Sequence, residues 1–476
     1  MATADFSTYF LYRWRYVIGY TLIGLLLAGL LLFAGLAVPN GLSDLETQSV
    51  IRSASLSFSD PSTLAVTNLP YYLLQAGIFS LWDVSNFTIK LPSLILALFS
   101  ALGLIMLLRR WFTPNIAVLA SLIAITTGQF LFIGQQGNPS ILYVFWPVVL
   151  LLLGTQITRK RRFKLLWKIL FAITAALSLY TPLSIYPLIA ITLAVALHPH
   201  LRAIIRRLSR PRLVISATLA AIIIAPLVYL TIINPQLGPT LLGAPTVWPP
   251  SLVDNLMTVV KQYFLFWEPS TTTLMTPVFG LASAIIIGLG LYRLFRTRET
   301  TRSYLIILWL AAITPVLILN PQFTSVTFTF SVLLIAAGLT SLISYWYRLF
   351  PLNPYARILG LVPLIILVAV LIGTGLARYT YGYHYDPRTA PLFSRDLTLL
   401  PEDTRTIVTS GEKETDFYKA LSKYRTDIVV TDSPTTNKFT TTKAAQKDYE
   451  GYEVSDIITN PFVNDSDRFY IYKKQP

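Results

Sequence analysis

YVIGYTLIGLLLAGLLLFAGLAV, residues 16–38, runs for 23 residues without a charged side chain. Wound into a helix, about 20 apolar residues cross a hydrocarbon core about 30 Å thick. The run also exceeds the apolar stretch of a secretory signal peptide, about 7–15 residues, so it reads as a retained anchor. Ten further apolar runs follow, near residues 90–108, 115–134, 139–157, 165–181, 183–198, 213–233, 275–294, 303–319, 324–346 and 358–377. The expected architecture is an α-helical polytopic membrane protein with about eleven transmembrane helices, the fifth and sixth parted only by the turn at Tyr180, Thr181 and Pro182. Composition agrees, because 54% of the 476 residues are hydrophobic and 13% charged, against roughly 25% charged in soluble domains.

A net charge of +15 raises the question of a nucleic-acid partner, and the positions of the charges answer it. With the N-terminus inside, 21 Lys and Arg up to residue 377 fall in cytoplasmic segments, including the clusters at Arg109–Arg110, 159–164 and 202–212. The other side has three, Arg52, Lys90 and Lys261. Short cytoplasmic loops retain Lys and Arg, so the basic excess sets topology and implies no nucleic-acid binding. The expected location is the plasma membrane, multi-pass, with a cytoplasmic N-terminus. There is no cysteine, which excludes disulfides and thiolate metal sites. The three histidines, His198, His200 and His384, form no zinc-binding pattern.

The membrane part is expected to occupy residues 1–378. Beyond it, residues 379–476 hold 13 basic and 15 acidic side chains, with β-prone runs at 406–409, 427–430 and 469–472 and helical spacing over 414–424. That reads as a small α/β domain, placed outside because an odd number of spans precedes it. Two outer loops are long enough to build a site, 39–89 and 234–274. Each contains an amphipathic run too short to span, Leu69 to Trp82 and Leu252 to Trp267, expected to lie in the interface.

Before the tail the chain has eight carboxylates, and six of them, Asp44, Glu46, Asp60, Asp83, Asp254 and Glu268, belong to the outer side. A carboxylate at the edge of a membrane helix is costly unless solvated or paired, which makes Asp44 and Glu46 candidates for chemistry as well as for plain solvated loop acids. Suitable chemistry is transfer of a group from a lipid-carried donor. A carboxylate takes the proton of an acceptor hydroxyl, and nearby cations steady the departing phosphate.

The order of motifs resembles the GT-C membrane glycosyltransferases, especially the branch of the protein O-mannosyltransferases (dolichyl-phosphate-mannose-protein mannosyltransferases) and the lipid A aminoarabinose transferases. The acidic Asp44-Leu45-Glu46 follows the first span, then come Asn68-Leu69-Pro70-Tyr71-Tyr72-Leu73-Leu74 and Lys90-Leu91-Pro92-Ser93. Gly134-Gln135-Gln136-Gly137-Asn138-Pro139 is similar to the family's Ser-Gln-Glu-Ala-Arg segment, and the stretch from Tyr263 to Pro269, with Pro277-Val278-Phe279-Gly280, to its fourth outer loop. The likeness covers roughly residues 10–380. It departs in having Leu45 between the two acids, and Gln136 and Asn138 where the family has Glu and Arg.

The resemblance implies an inverting glycosyltransferase that uses a polyprenyl-phosphate sugar donor and an acceptor on the outer face. It assigns Asp44 as base, with Glu46 as the competing assignment, and places Lys90 at a basic position where the second span begins. Arg52 and Lys261 are the other candidate phosphate contacts, and Tyr71, Tyr72, Gln135, Asn138 and Glu268 candidate contacts to acceptor or sugar. No cofactor is expected. A divalent cation is compatible with the resemblance, but the sequence offers no ligand cluster for one. Membrane lipids are expected partners, and the sequence does not specify an oligomeric state. Two rivals remain at this point: a non-catalytic scaffold of the same fold, suggested by Gln136 and Asn138, and a lipid-linked-sugar transporter or flippase. The second would place ionisable residues at mid-membrane, and no acidic residue lies at the centre of any expected span.

Overall fold

The computed structural model describes residues 10–37, 41–158, 163–245, 247–265, 277–349, 354–359, 361–382, 390–460 and 467–475. Among these residues eighteen α-helices precede the C-terminal sheet: α1 (Phe10–Ala37), α2 (Asp44–Ser55), α3 (Leu69–Leu81), α4 (Asn86–Trp111), α5 (Pro114–Ile125), α6 (Gly128–Gln135), α7 (Leu142–Thr158), α8 (Lys164–Ser178), α9 (Ile185–Leu197), α10 (Pro199–Arg206), α11 (Arg210–Ile233), α12 (Leu237–Leu242), α13 (Leu252–Phe264), α14 (Leu281–Arg296), α15 (Thr301–Leu319), α16 (Phe328–Leu349), α17 (Pro354–Leu359) and α18 (Leu361–Ala377).

Among the described residues, those built on α1, α4, α7, α11, α15, α16 and α18 are seven helices long and apolar enough to span. The count rises to nine if the bent pairs α5–α6 (59°) and α9–α10 (89°) each make one crossing. Helices α8 and α14 fill the two remaining expected positions with 15 and 16 residues. At 1.5 Å per residue each covers only roughly 22–24 Å, less than the hydrocarbon thickness. Apolar composition continues through turns that end helices, as at Leu183, whose φ is +62°, and so hydropathy overstates helix length there. The chain is a multi-pass membrane protein.

The first half of α16, residues 328–339, is buried on every side and forms the middle of the bundle. Its partner α14 approaches so closely that a Cβ on Gly338 would stand 2.1 Å from the Ile286 carbonyl oxygen, and one on Gly290 would stand 2.1 Å from that of Leu334. Helices in lipid associate through such close backbone contact, with small residues at the crossing.

The C-terminal residues form a five-stranded sheet with one helix, β1 (Thr406–Val408), α19 (Glu412–Ser422), β2 (Val429–Thr431), β3 (Lys438–Thr442), β4 (Tyr452–Thr459) and β5 (Arg468–Lys474). The strand order is β2-β1-β3-β5-β4. Strand β1 is parallel to β2 and β3, and β5 antiparallel to β3 and β4. The expected β-prone runs fall in β1, β2 and β5. Strands β3 and β4 were not anticipated, since Lys-Phe-Thr-Thr-Thr lacks a clear alternation and β4 is an exposed edge strand.

This domain shares a core with the segment that runs from α2 to the start of α4. Val50 and Ala54 of α2, Phe79 of α3 and Ile89 of α4 pack with Leu397, Phe417, Leu421 and Ile428. Leu42 pairs with Arg395 as an isolated bridge, and Lys423 donates to the Ala54 carbonyl at 2.5 Å.

At the same junction Asp467 is half-buried beside Arg395, Glu414 and Tyr418. Burial pushes its carboxyl up to about 6; Arg395 opposes this and Glu414 adds to it. The folded state thus favours the protonated form. The stability this contributes is complete below the ordinary value of 3.8 and is lost as pH rises through about 6. Thermal unfolding of the purified protein between pH 4.5 and 7.5 is expected to show a Tm component that falls with rising pH and flattens in Asp467→Asn. An unchanged slope in that variant would remove Asp467 from the account.

Candidate active site

The sequence Ser43-Asp44-Leu45-Glu46 folds as a helix start. Ser43 caps α2, its hydroxyl accepting from the Glu46 amide at 3.4 Å, and the Glu46 carboxylate accepts from the Ser43 amide at 2.7 Å and hydroxyl at 3.0 Å. This reciprocal capping box satisfies backbone groups that a helix start leaves without partners, and it turns the two acids in different directions. Asp44, the first residue of the helix, is exposed. Its carboxylate lies at the positive end of the helix dipole and lines a cleft of about 440 Å³ with Thr47 and Gln48 of its own helix and Arg395, Gly411 and Lys413 from the C-terminal domain.

Glu46 is sealed inside, 0% exposed. Its second oxygen accepts from the Gly137 amide at 2.7 Å and lies 3.8 Å from the Lys90 ammonium. Lys90, 1% exposed, also donates to the Gln135 side-chain oxygen at 2.9 Å. Three separate pieces of chain meet at this pair: the start of α2, the first turns of α4, and the 135–138 connection between α6 and α7. Glycine at 137 is required by the fit, for a Cβ there would stand 2.6 Å from the Ile89 carbonyl oxygen.

A second polar clasp lies beside it, centred on Gln75 of α3, which the sequence did not single out. Its side-chain oxygen accepts from Ser49 (2.8 Å) and Ser53 (2.6 Å) of α2, and its nitrogen donates to the carbonyls of Ile89 (3.1 Å) and Gly137 (3.3 Å). A buried Gln in an otherwise apolar helix face is the sequence signal that marks it. Asn86 and Asp396 were missed for a different reason. The Asn86 amide donates to Asp396 at 2.7 Å and accepts from the Leu397 amide at 3.2 Å, a contact across 310 residues that no local pattern reveals.

The remaining candidates are spread around this centre. Exposed Arg52, two turns beyond Asp44, donates to the Tyr72 hydroxyl at 3.3 Å. Burial raises the Tyr72 hydroxyl above its ordinary value, and the Arg52 charge opposes that rise. Tyr71 meets Tyr72 edge to face at 5.9 Å, and its hydroxyl shares a hydrogen bond of 2.8 Å with Ser93, whose own hydroxyl donates to the Asn138 carbonyl at 3.1 Å. The Asn138 amide donates to the Gln136 side chain at 2.9 Å. A neutral hydrogen-bonded pair therefore stands at the two positions where the resembled family has Glu and Arg. Lys261 is exposed on α13, which packs on α15 and on the 321–327 turn, Thr324 donating to Gln262 at 2.5 Å. Glu268 lies outside the described residues. Among those described, no three His, Asp or Glu side chains converge in a way that would hold a metal ion.

Comparison with known proteins places this geometry. Residues 69–230 match the model of the dolichyl-phosphate-mannose-protein mannosyltransferase family, a stretch that begins at α3 and ends in α11. The structure of ArnT from Cupriavidus metallidurans bound to undecaprenyl phosphate superposes with a TM-score of 0.57 at 12% identity, covering 96% of this chain and 98% of that one. The oligosaccharyltransferase of Archaeoglobus fulgidus, tethered to an acceptor peptide, gives a TM-score of 0.52 at 13% identity over 86% of this chain. This chain covers 64% of that enzyme's length. No curated protein matches. The chain shares the fold of these two proteins, the architecture that the motif order led us to expect.

Removing one partner from a buried ion pair costs about 3–5 kcal/mol, because the other charge is left uncompensated. Glu46→Gln and Lys90→Met are each expected to lower the Tm of the detergent-solubilised protein by several degrees, and the double variant to lose clearly less than the sum. Strict additivity in that cycle would mean that the two side chains do not depend on each other.

Proposed function

We propose that the chain is a membrane glycosyltransferase that moves a sugar from a polyprenyl-phosphate donor to an acceptor hydroxyl on the outer face of the membrane, with Asp44 as the general base. The observation that carries this reading is the divergence of two acids in one helical turn. Asp44 opens onto a cleft, whereas both oxygens of Glu46 are occupied by Ser43, Gly137 and Lys90. The matches to ArnT bound to undecaprenyl phosphate and to the mannosyltransferase family model support a lipid-phosphate donor.

In this reading the Asp44 carboxylate removes the proton of the acceptor hydroxyl. The acceptor oxygen then forms a bond to the anomeric carbon as the bond from that carbon to the phosphate oxygen breaks, inverting the centre. The polyprenyl phosphate leaves with the electron pair. Arg52, exposed on the same helix, and Lys261 of the second outer loop are assigned to the phosphate, where a charge-assisted hydrogen bond strengthens as negative charge develops. Lys90 acts through Glu46, as a positioning residue that holds the helix bearing the base. Tyr71, Gln135 and Asn138 belong to the buried hydrogen-bond network on Ser93 and Lys90, Tyr72 supports Arg52, and the outer domain supplies Arg395 and Lys413 to the acceptor side. The N-terminus is assigned to the cytoplasm and the C-terminal domain to the outer side. The neutral Gln136–Asn138 pair favours one rival, a scaffold that binds donor without transferring it.

The test is transfer of radiolabelled sugar in membranes from a panel of polyprenyl-phosphate donors. General-base catalysis contributes typically 10²–10⁴-fold, so Asp44→Asn is expected to lower transfer by at least about 100-fold while the protein still folds and binds donor. Glu46→Gln is expected to act mainly through the amount of folded protein. Donor binding by the native protein without transfer would favour the scaffold; equal loss in both variants per folded molecule would overturn the assignment of Asp44.

A further inference from the structure

At the end of α4 remote from the outer domain, helices α7, α8, α9, α10 and α15 leave a cleft of about 380 Å³, within the range of small-molecule sites. Its walls are almost wholly apolar, with Trp111, Leu151, Phe171, Ile191 and Leu305 among them. Arg302 lines it too, exposed and with its guanidinium 5.3 Å from the centre of the Phe112 ring. Helix α10 turns 89° from α9 and covers one side with Leu201 and Ile205, so the cleft lies where a bundle meets the membrane surface.

The charges around this cleft are unbalanced. Arg293, near the end of α14, and Arg302, near the start of α15, are close enough to repel each other. Neither forms an ion pair with a carboxylate among the described residues, whose four ion pairs all lie elsewhere. The acid nearest in sequence, Glu299, also takes part in none of those ion pairs. Two like charges held together beside an apolar cleft at a membrane face are complementary to a ligand with an anionic head and a hydrocarbon tail. Basic sites between transmembrane helices on the cytoplasmic side bind anionic lipid headgroups on this principle.

We propose that this cleft binds an anionic phospholipid of the facing leaflet, one acyl chain lying between α7 and α9 and the phosphate on Arg302, in the field of Arg293. The site is separate from the cleft at Asp44 and does not depend on the transfer reaction. Gly154 of α7 lines the wall, and a Cβ there would meet only Phe171, at 3.8 Å, so a larger side chain at 154 fills the cleft without striking backbone.

The experiment uses the full chain in a neutral detergent. Native mass spectrometry and thermal unfolding follow titration with phosphatidylglycerol, with phosphatidylcholine of the same acyl chains, and with glycerol phosphate alone. Phosphatidylglycerol is expected to remain bound and raise Tm, while the other two do neither. Arg302→Gln is expected to weaken phosphatidylglycerol binding about fivefold, the loss of one surface cation, and Gly154→Leu to weaken it at least as much. Equal retention of phosphatidylcholine, an effect of glycerol phosphate alone, or unchanged binding in Gly154→Leu would overturn the proposal. If Arg302→Gln does not fold, Gly154→Leu decides the matter.

Discussion

The buried contact between Glu46 and Lys90 is the constraint on which the arrangement of α2, α4 and the C-terminal domain depends. Two opposite charges removed from water are tolerated only when their remaining hydrogen-bonding capacity is also met. Here the capping box of α2, the Gly137 amide and the Gln135 side chain meet much of it. Those donors and acceptors come from two segments, the start of α2 and the 135–138 connection, and Lys90 itself from a third, α4. Satisfying one carboxylate and one ammonium therefore fixes the first outer loop against the second span and against the connection between α6 and α7.

From that fixed point the geometry of the cleft follows. A helix whose third residue is locked inside must present its first residue outward, which is how Asp44 comes to face the space beneath the C-terminal domain. The Gln75 clasp holds the same helix along its length through Ser49 and Ser53. The adjoining face of α2, with Val50 and Ala54, packs against Phe417 and Leu421 of α19. The small C-terminal domain is thus a wall of the cleft, with a core continuous with α2 and α3. Asn86 and Asp396 strengthen this, linking the first residue of α4 to the start of the C-terminal domain.

Much of this was legible in the sequence, and the limits have physical causes. The spans could be read because lipid demands about 20 apolar residues per crossing, yet the same signal passes through the bend between α5 and α6 at Thr126 and Thr127, which changes direction without changing hydropathy. Asp44 and Glu46 stood out as acids in an acid-poor chain. Their different surroundings were encoded as well, in the Ser-x-x-Glu spacing of a capping box. Gln75 was marked only as the one amide in the apolar run from Leu69 to Trp82, whereas Asn86, Arg395 and Asp396 were not legible, because each matters through a partner distant in the chain. The tail's helix and three of its strands followed from local pattern, whereas β3 and β4 are defined by pairing with β5.

The central claim is that chemistry occurs at Asp44, in the cleft between α2 and the outer domain, and not at the neighbouring buried acid. The most direct test is a structure of the full chain with a non-transferable polyprenyl-phosphate sugar analogue and an acceptor. The account predicts the acceptor hydroxyl within hydrogen-bond reach of the Asp44 carboxylate, about 2.6–3.2 Å, with Glu46 still bound to Ser43, Gly137 and Lys90. A sugar seated against Glu46, or in a cavity to which α2 contributes nothing, would contradict it.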